Sequence, residues 1–349
     1  MMWAKTKIIY GFLGILLIFS LYVTRINGLD PITATLIEQA EGMKGENFVQ
    51  IATEVREKAQ EEVPDKEQDK AQEKERENAQ EKEGKVASPQ MPKEQEAFFR
   101  SIDLSKYSID VNYGSVEFRS FHGRVRKQRP QYPLAFSAVP TEEGPVLKVM
   151  PFRDFRNIYD MGSSAHDDVE KDYLSMLVHE GFHCYQMDHG MEGLVDEYQG
   201  QGKWLNAADR QVFYELVKRL DHDPEYQKLW CASMEGLMTW KKGGGRLDYD
   251  RAGLALEAYM DRSLSRDRSQ LYHEQVQEME LLEGTARFME NLILAYYNKK
   301  LNGEFAGNFI QGTEKFYVSG SLKTAILCDQ GHLGDLDFKK ASSLEDCIR

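Results

Sequence analysis

Two histidines four residues apart, with a glutamate directly after the first, are the residues whose types and spacing predict chemistry in this chain. His179, Glu180 and His183 lie in the segment LVHEGFHCYQ. Residues four apart share one face of a helix, so both imidazoles can bind one metal ion while Glu180 lies beside them. Two neutral imidazoles leave Zn²⁺ electrophilic enough to lower the pKa of a bound water from about 15.7 to about 7. Glu180 can then accept the proton, and the segment predicts a zinc hydrolase site.

The residues around this motif predict that it lies on a helix. Asp167, Asp168 and Glu170 place negative charge in the first turn, where it favours the positive end of the helix dipole. Gly190 supplies a natural end. Apolar residues form the stripe that a buried helix needs: Val169, Tyr173, Leu174, Leu177, Val178 and Phe182.

Two histidines do not complete a tetrahedral zinc site, and the sequence offers two candidates for the third protein ligand. His189 has the spacing of the metzincin pattern HExxHxxGxxH, but Gln186 stands where that pattern has the glycine that turns the backbone. Glu283 lies far downstream, beside the small residues Gly284, Thr285 and Ala286. Small neighbours permit the close approach of two backbones that a shared zinc ion requires, which favours Glu283.

Glu283 falls in a long helical pattern, expected at residues 270–298, which no proline interrupts. Arg287 is expected to form an i,i+4 ion pair at the surface, and His273 is expected to be a surface histidine. The remaining glutamates of the pattern are expected to face solvent: Glu274, Glu278, Glu280 and Glu290.

An HExxH helix followed downstream by the pattern EGxAxF resembles the gluzincin branch of zinc metallopeptidases, the thermolysin-like superfamily. The resemblance rests on two short motifs within residues 145–329. It implies a peptidase with His179, His183 and Glu283 as zinc ligands and Glu180 as general base. The segment FYVSG is similar to the Tyr-x-x-Gly stretch of several such peptidases, which implies that Tyr317 steadies the oxyanion.

The first 28 residues carry a different signal. Lys5 and Lys7 precede an uncharged run at 8–23, which is long enough with its flanks to cross a slightly compressed bilayer. No small-x-small cleavage site follows at 24–28, so a transmembrane anchor is favoured over a cleaved signal, which would give a secreted protein. The lysines predict a cytoplasmic N-terminus, with the remainder outside the cytoplasm at the cell membrane.

Residues 29–96 are predicted to form a charged, low-complexity stalk. Residues 54–96 contain 14 acidic and 9 basic side chains and almost no large apolar ones, so they cannot build a core. A solvated helix in part is compatible with this composition. A coiled coil is disfavoured because apolar a and d positions are missing.

Residues 97–349 are predicted to form one zincin-like domain of the α+β class, with a small mixed β part followed by a mostly helical part. Strands are expected within 108–119 and 145–152, and the second is suggested as an edge strand that pairs with an extended substrate. Further helices are expected at 207–220, 224–240 and 248–265. Asp223 before Pro224 is a typical helix cap.

The net charge is −13, of which −5 (9 minus 14) comes from residues 54–96, so nothing indicates a nucleic-acid partner. The sequence therefore predicts a membrane-anchored, extracytoplasmic zinc metallopeptidase that acts on a peptide or protein. Two alternatives stay open: a metzincin-type site with His189 as third ligand, and a catalytically silent zincin-fold module that binds a partner at the cell surface. The intact Glu180 disfavours the silent module, because such a module needs no base.

Overall fold

One five-stranded sheet and a larger helical part make up the residues that the computed structural model describes, which are 29–61, 91–129, 136–160, 168–191, 207–339 and 343–348. The helices in chain order are α1 (Pro31–Glu41), α2 (Gly45–Glu61), α3 (Lys93–Ser101), α4 (Phe152–Asp160), α5 (Val169–Asp188), α6 (Ala207–Asp221), α7 (Pro224–Lys241), α8 (Leu247–Ser263), α9 (Arg266–Met279), α10 (Thr285–Tyr296) and α11 (Glu314–Gln330). A π-helical segment, Glu280–Gly284, joins α9 to α10.

The strands are β1 (Ser108–Asn112), β2 (Glu117–Phe121), β3 (Arg124–Gln128), β4 (Ser137–Val139) and β5 (Val146–Val149). They lie in the order β3-β2-β1-β5-β4, and β1 and β5 are parallel while the other neighbours are antiparallel. The suggestion that residues 145–152 form an edge strand is wrong, because β4 pairs with β5 on its outer side. The strand that ends the sheet beside the helix α5 is β4 itself.

The helices predicted in the second half of the chain are present at α6, α7 and α8 with ends within two residues of the prediction. The cap at Asp223 is confirmed, since its carboxylate accepts hydrogen bonds from the backbone amides of Glu225 and Tyr226 at 2.9 and 3.3 Å. The helix expected at 270–298 spans α9, the π segment and α10. The chain is helical throughout this stretch, as predicted. The change from α-helix to π-helix at Glu280–Gly284 was not predicted.

The predicted fold class is wrong in its layout, because helices precede the sheet and belong to the same core. Residues 29–61 were assigned to a charged stalk, yet α1 and α2 pack into the core through apolar side chains at helical spacing. The buried ones are Leu29, Leu36, Ile37, Ala40, Met43, Phe48, Ile51 and Ala52. The stalk prediction rested on the charged composition of 54–96. The buried apolar residues of α1 and α2 all lie before residue 54, outside that stretch.

The predicted transmembrane anchor does not appear among the described residues. None of the helices that the structure describes is both long enough and apolar enough to cross a membrane. The run at 8–23 falls outside the described residues, as does the middle of the predicted stalk at 62–90. The structure is a mixed α+β fold with one sheet, and the anchored layout is not retained.

Polar contacts also tie α1 to the sheet. Asp30 accepts a hydrogen bond from the Tyr113 hydroxyl at 2.8 Å, and the Thr33 hydroxyl accepts one from the Phe152 amide at 2.9 Å. Glu41, at the end of α1, accepts a buried hydrogen bond from the Ser120 hydroxyl at 2.6 Å. On the other side α2 packs against α10, the helix that follows the π segment. These contacts make α1 and α2 part of the frame that holds the candidate site.

Candidate metal centre

The helix α5 carries His179, Glu180 and His183 through the core. It runs from Val169 to Asp188, close to the predicted span, and the predicted apolar stripe is buried. The two imidazole rings lie 4.9 Å apart between centroids and are nearly perpendicular, at 83°. Both histidines are buried, so the surrounding helices fix the direction in which their ring nitrogens point.

The π segment presents Glu283 to these rings. One carboxylate oxygen, Oε2 of Glu283, lies 3.4 Å from Nε2 of His179 and 3.4 Å from Nε2 of His183. π-helical turns are rare and frequently lie at functional sites. The structure therefore brings together the three residues that the sequence proposed as ligands.

The separations of the Glu283 carboxylate oxygen from the two histidine nitrogens fit a zinc ion. A tetrahedral site with bonds of about 2.0 to 2.2 Å places its ligand atoms about 3.3 to 3.6 Å apart. The two Nε2 to Oε2 separations of 3.4 Å fall in this range, and all three ligand atoms lie within 4.8 Å of one another. Two imidazoles and one carboxylate are also the donor set of several catalytic zinc sites.

A buried carboxylate orients His179. Its Nδ1 lies 2.9 Å from Oε2 of Glu290, which is fully buried on α10. Because a carboxylate accepts, Nδ1 carries the proton and Nε2 is the nitrogen that faces Glu283. Glu290 is held in turn by an ion pair with Nε of Arg287 at 3.3 Å and a hydrogen bond from the Asn302 amide. The expected ion pair of Arg287 with Glu283 is not the one observed.

Gln186 orients the imidazole of His183. Its side-chain carbonyl lies 2.7 Å from Nδ1 of His183, and its amide donates to the Thr285 hydroxyl at 2.7 Å and to the carbonyl of Leu282 at 2.9 Å. Gln186, which in the sequence only disfavours a metzincin turn, thus orients a proposed ligand. It also fastens α5 to the π segment, so the position of Glu283 is tied to that of His183.

Charge favours a cation at this point. Burial lowers the pKa of His179, but hydrogen bonds to Glu283 and Glu290 outweigh it and raise that pKa to about 10. His183 is likewise shifted upward, since Glu283 outweighs the effect of burial on its pKa. Burial alone would raise the pKa of Glu283, yet the two histidines hold it well below its usual range. A dication that displaces the imidazole protons would supply the same positive charge.

Glu180 remains available for proton transfer. It is half-buried, and no hydrogen bond or ion pair engages its carboxylate among the described residues. Burial raises its pKa, and the nearby charges of His183 and His179 oppose that shift without cancelling it. A carboxylate with a raised pKa is better matched to proton exchange near neutral pH than an ordinary glutamate.

Two glycines allow the helix α11 to cross the π segment in direct contact. A Cβ atom on Gly284 would lie 2.4 Å from Cα of Gly320, and one on Gly320 would lie 2.4 Å from the carbonyl oxygen of Glu280. The small residue after Glu283 was attributed to close approach of the zinc-binding helix. Its contact is with α11 instead, which packs directly on the π segment.

Two further candidates lie outside the three-residue cluster. His189 ends α5, where its Nδ1 lies 2.8 Å from the carbonyl of Tyr185 and its ring stacks on the Tyr185 ring at 3.9 Å. Tyr317 lies on α11, with its ring 5.8 Å from the guanidinium carbon of Arg287. Tyr317 is therefore connected to His179 through Arg287 and Glu290, and its oxyanion role stays a prediction.

Sequence reasoning missed two buried glutamates. Glu280 and Glu290 were expected to face solvent and are buried, whereas Glu274 is exposed as expected. A spacing of seven residues after Glu283 puts Glu290 on the same helix face, and this signal could have identified it. Gln186 follows His183 by three residues and was detectable on the same ground.

Comparison of the chain with models of protein families, with curated proteins and with solved structures finds no match. The resemblance to gluzincins therefore rests on the two short motifs alone, and the geometry of the three-residue cluster is independent of it.

Replacing Glu290 by glutamine is expected to weaken zinc binding by about 10- to 100-fold, because the hydrogen bond that orients His179 loses its charge. Competition with a chromophoric chelator measures the affinity. Glu314→Gln is the matched control, since Glu314 is the other carboxylate paired with Arg287, at 3.3 Å, and is half-exposed. Equal zinc affinity of Glu290→Gln and the wild type would show that Glu290 does not support the ligand.

Proposed function

We propose that this protein is a zinc-dependent hydrolase with a gluzincin-type site, and that its substrates are peptides. The observation that carries the proposal is the position of one Glu283 oxygen 3.4 Å from Nε2 of both His179 and His183. The carboxylate of Glu180 on the same helix, which bonds to none of the described residues, adds the base that hydrolysis requires.

In this proposal, His179, His183 and Glu283 hold the metal ion. Zinc, when bound, supplies Lewis-acid chemistry that makes water acidic enough to lose a proton near neutral pH. Glu180 takes that proton on its carboxylate as the water oxygen attacks the scissile carbonyl carbon. As the carbon–nitrogen bond breaks, Glu180 returns the proton to the leaving amine. Glu290 and Gln186 keep the imidazoles in place throughout, so little reorganisation accompanies the reaction.

The choice of peptides rests on the resemblance of the two motifs to gluzincins, whereas the residues themselves argue for hydrolysis. The metzincin-type alternative is less well supported, because His189 bonds the backbone of its own helix and lies outside the cluster. The silent binding module is also less well supported. It would be favoured by a Glu283 that points away from the histidines, and Glu283 points toward them.

Zinc content measured by elemental mass spectrometry on the full chain tests the metal site. We expect one zinc per chain in the wild type and a large loss in Glu283→Ala, because the carboxylate that completes the protein ligand set is removed. Glu274→Ala is the matched control on the same helical stretch, since Glu274 is exposed, and it should retain zinc. A wild type that takes up no zinc after reconstitution would overturn the proposal.

A further inference from the structure

A cavity of about 180 Å³ lies among α7, α8, α9 and α11. None of the three proposed zinc ligands lines it, and neither does Glu180. Ser233 and Gly253 line the cavity and are half-exposed, so the cavity is not sealed from solvent. An apolar cavity of about 150 Å³ in a protein can hold benzene, so this volume suits a single ring with a short polar arm.

Aromatic rings form much of the cavity wall. Five of the lining side chains are aromatic: Tyr226, Trp230, Tyr249, Tyr272 and Phe316. Such a wall binds an apolar ring through its area and attracts a cation through the negative faces of the rings. It therefore favours an occupant that is apolar in its body and positively charged at one end.

The polar end of the cavity carries more negative than positive charge. Lys323 lies 2.6 Å from a carboxylate oxygen of Glu280 and 2.6 Å from Oε1 of Glu345. Two carboxylates against one ammonium leave a formal charge of −1 at this end. The other oxygen of Glu280 is already used, since it accepts a hydrogen bond from the Ser319 hydroxyl at 2.6 Å. An anion would meet net repulsion here, and a cation would complete the charge balance.

Two polar atoms of the lining side chains are open to a ligand. Oε1 of Glu345 forms the ion pair with Lys323 and accepts a hydrogen bond from the Tyr249 hydroxyl. Among the described residues, no group donates a hydrogen bond to its Oε2. His273, expected to be a surface histidine, lines the cavity, and its Nε2 is buried without a hydrogen-bond partner among the described residues. Buried polar atoms in proteins are nearly always bonded, so the unpaired Nε2 points to a polar group of a ligand.

We propose that this cavity is a second binding site, for a small aromatic primary amine. The ammonium group of the ligand donates a hydrogen bond to Oε2 of Glu345, and the ring packs against the aromatic wall. The charge of the polar end selects the amine over a neutral or acidic molecule of the same shape. This site does not depend on zinc, so its occupancy can be measured apart from any hydrolytic activity.

Three probes of matched shape test the proposal on the full chain by isothermal titration calorimetry. Benzylamine, benzyl alcohol and benzoate share a ring and differ in the charge of the arm. We expect benzylamine to bind about tenfold or more tightly than benzyl alcohol, and benzoate to bind least. Absence of benzylamine binding, or equal affinity for the three probes, would overturn the proposal.

Two substitutions place the binding in this cavity. Gly253→Leu should abolish benzylamine binding, because a Cβ atom at Gly253 meets no atom within 4 Å and a larger side chain can fill the space. Gly245→Leu is the matched control, since Gly245 is equally open and does not line the cavity. Circular dichroism confirms that both variants fold. Unchanged binding in a folded Gly253→Leu protein would overturn the assignment.

Glu345→Gln provides an independent test of the charge argument. Removing this carboxylate should reduce benzylamine affinity to about that of benzyl alcohol, and benzyl alcohol binding should change little. Glu257→Gln removes one negative charge from an exposed position of α8 outside the cavity and serves as the control. Retention of the full preference for benzylamine in Glu345→Gln would overturn the proposal even if Gly253→Leu were to fail to fold.

Discussion

Glu180→Gln is expected to retain one zinc per chain and to lose about 10²- to 10⁴-fold in kcat/KM for peptide hydrolysis. The amide has nearly the shape of the carboxylate but cannot accept a proton from water. Glu180 makes no hydrogen bond to the described residues, so its replacement leaves the network around His179 and His183 intact. The expected loss is therefore in the rate of reaction and not in metal affinity.

Zinc content and hydrolysis measured on the same preparation separate these two quantities. A pool of internally quenched fluorescent peptides supplies the substrate, and any cleaved member is then used for kcat/KM. Glu170→Gln is the matched control, because Glu170 is an exposed glutamate on the same helix α5. Activity of Glu180→Gln equal to that of the control would place the general base on another residue.

The part of the site that the sequence predicted is the part encoded by short-range spacing. His179, Glu180 and His183 lie within five residues on one helix, so helical periodicity was sufficient to group them. Glu283 followed from the need for a third ligand beside small residues. The π segment was not predictable, because the apolar residues of 270–298 recur at near-helical spacing across it, as in a continuous α-helix.

The parts that the sequence did not predict depend on contacts between distant segments. Glu290 looked like a solvated helix residue because nothing local shows that α5 packs against α10. The strand β4 has three residues, too few for an alternating pattern, so its pairing with β5 was missed and β5 was taken for an edge. The packing of α1 and α2 was not predicted, because the charged composition of 54–96 was taken to describe all of 29–96.

A protein that starts at residue 97, the predicted domain boundary, is expected not to fold into the native structure. It lacks α1 and α2, whose apolar side chains share one core with α5 and α10. It also lacks the hydrogen bonds that Asp30 and Glu41 accept from Tyr113 and Ser120. Deleting only residues 1–28 keeps these contacts, so that protein should show the cooperative unfolding transition that the shorter one lacks.

A single substitution on α2 measures how much this helix contributes to the stability of the fold without removing a segment. Phe48 on α2 is fully buried, and Phe48→Ala is expected to lower the free energy of unfolding by about 3 to 5 kcal/mol, because it removes apolar contacts and leaves a cavity. Gln50→Ala, at an exposed position of the same helix, should change it by no more than about 0.5 kcal/mol. Urea unfolding followed by circular dichroism gives both values. Equal stability of the two variants would mean that α2 is not part of the core, and the support that α2 gives to α10 and Glu290 would then have to come from elsewhere.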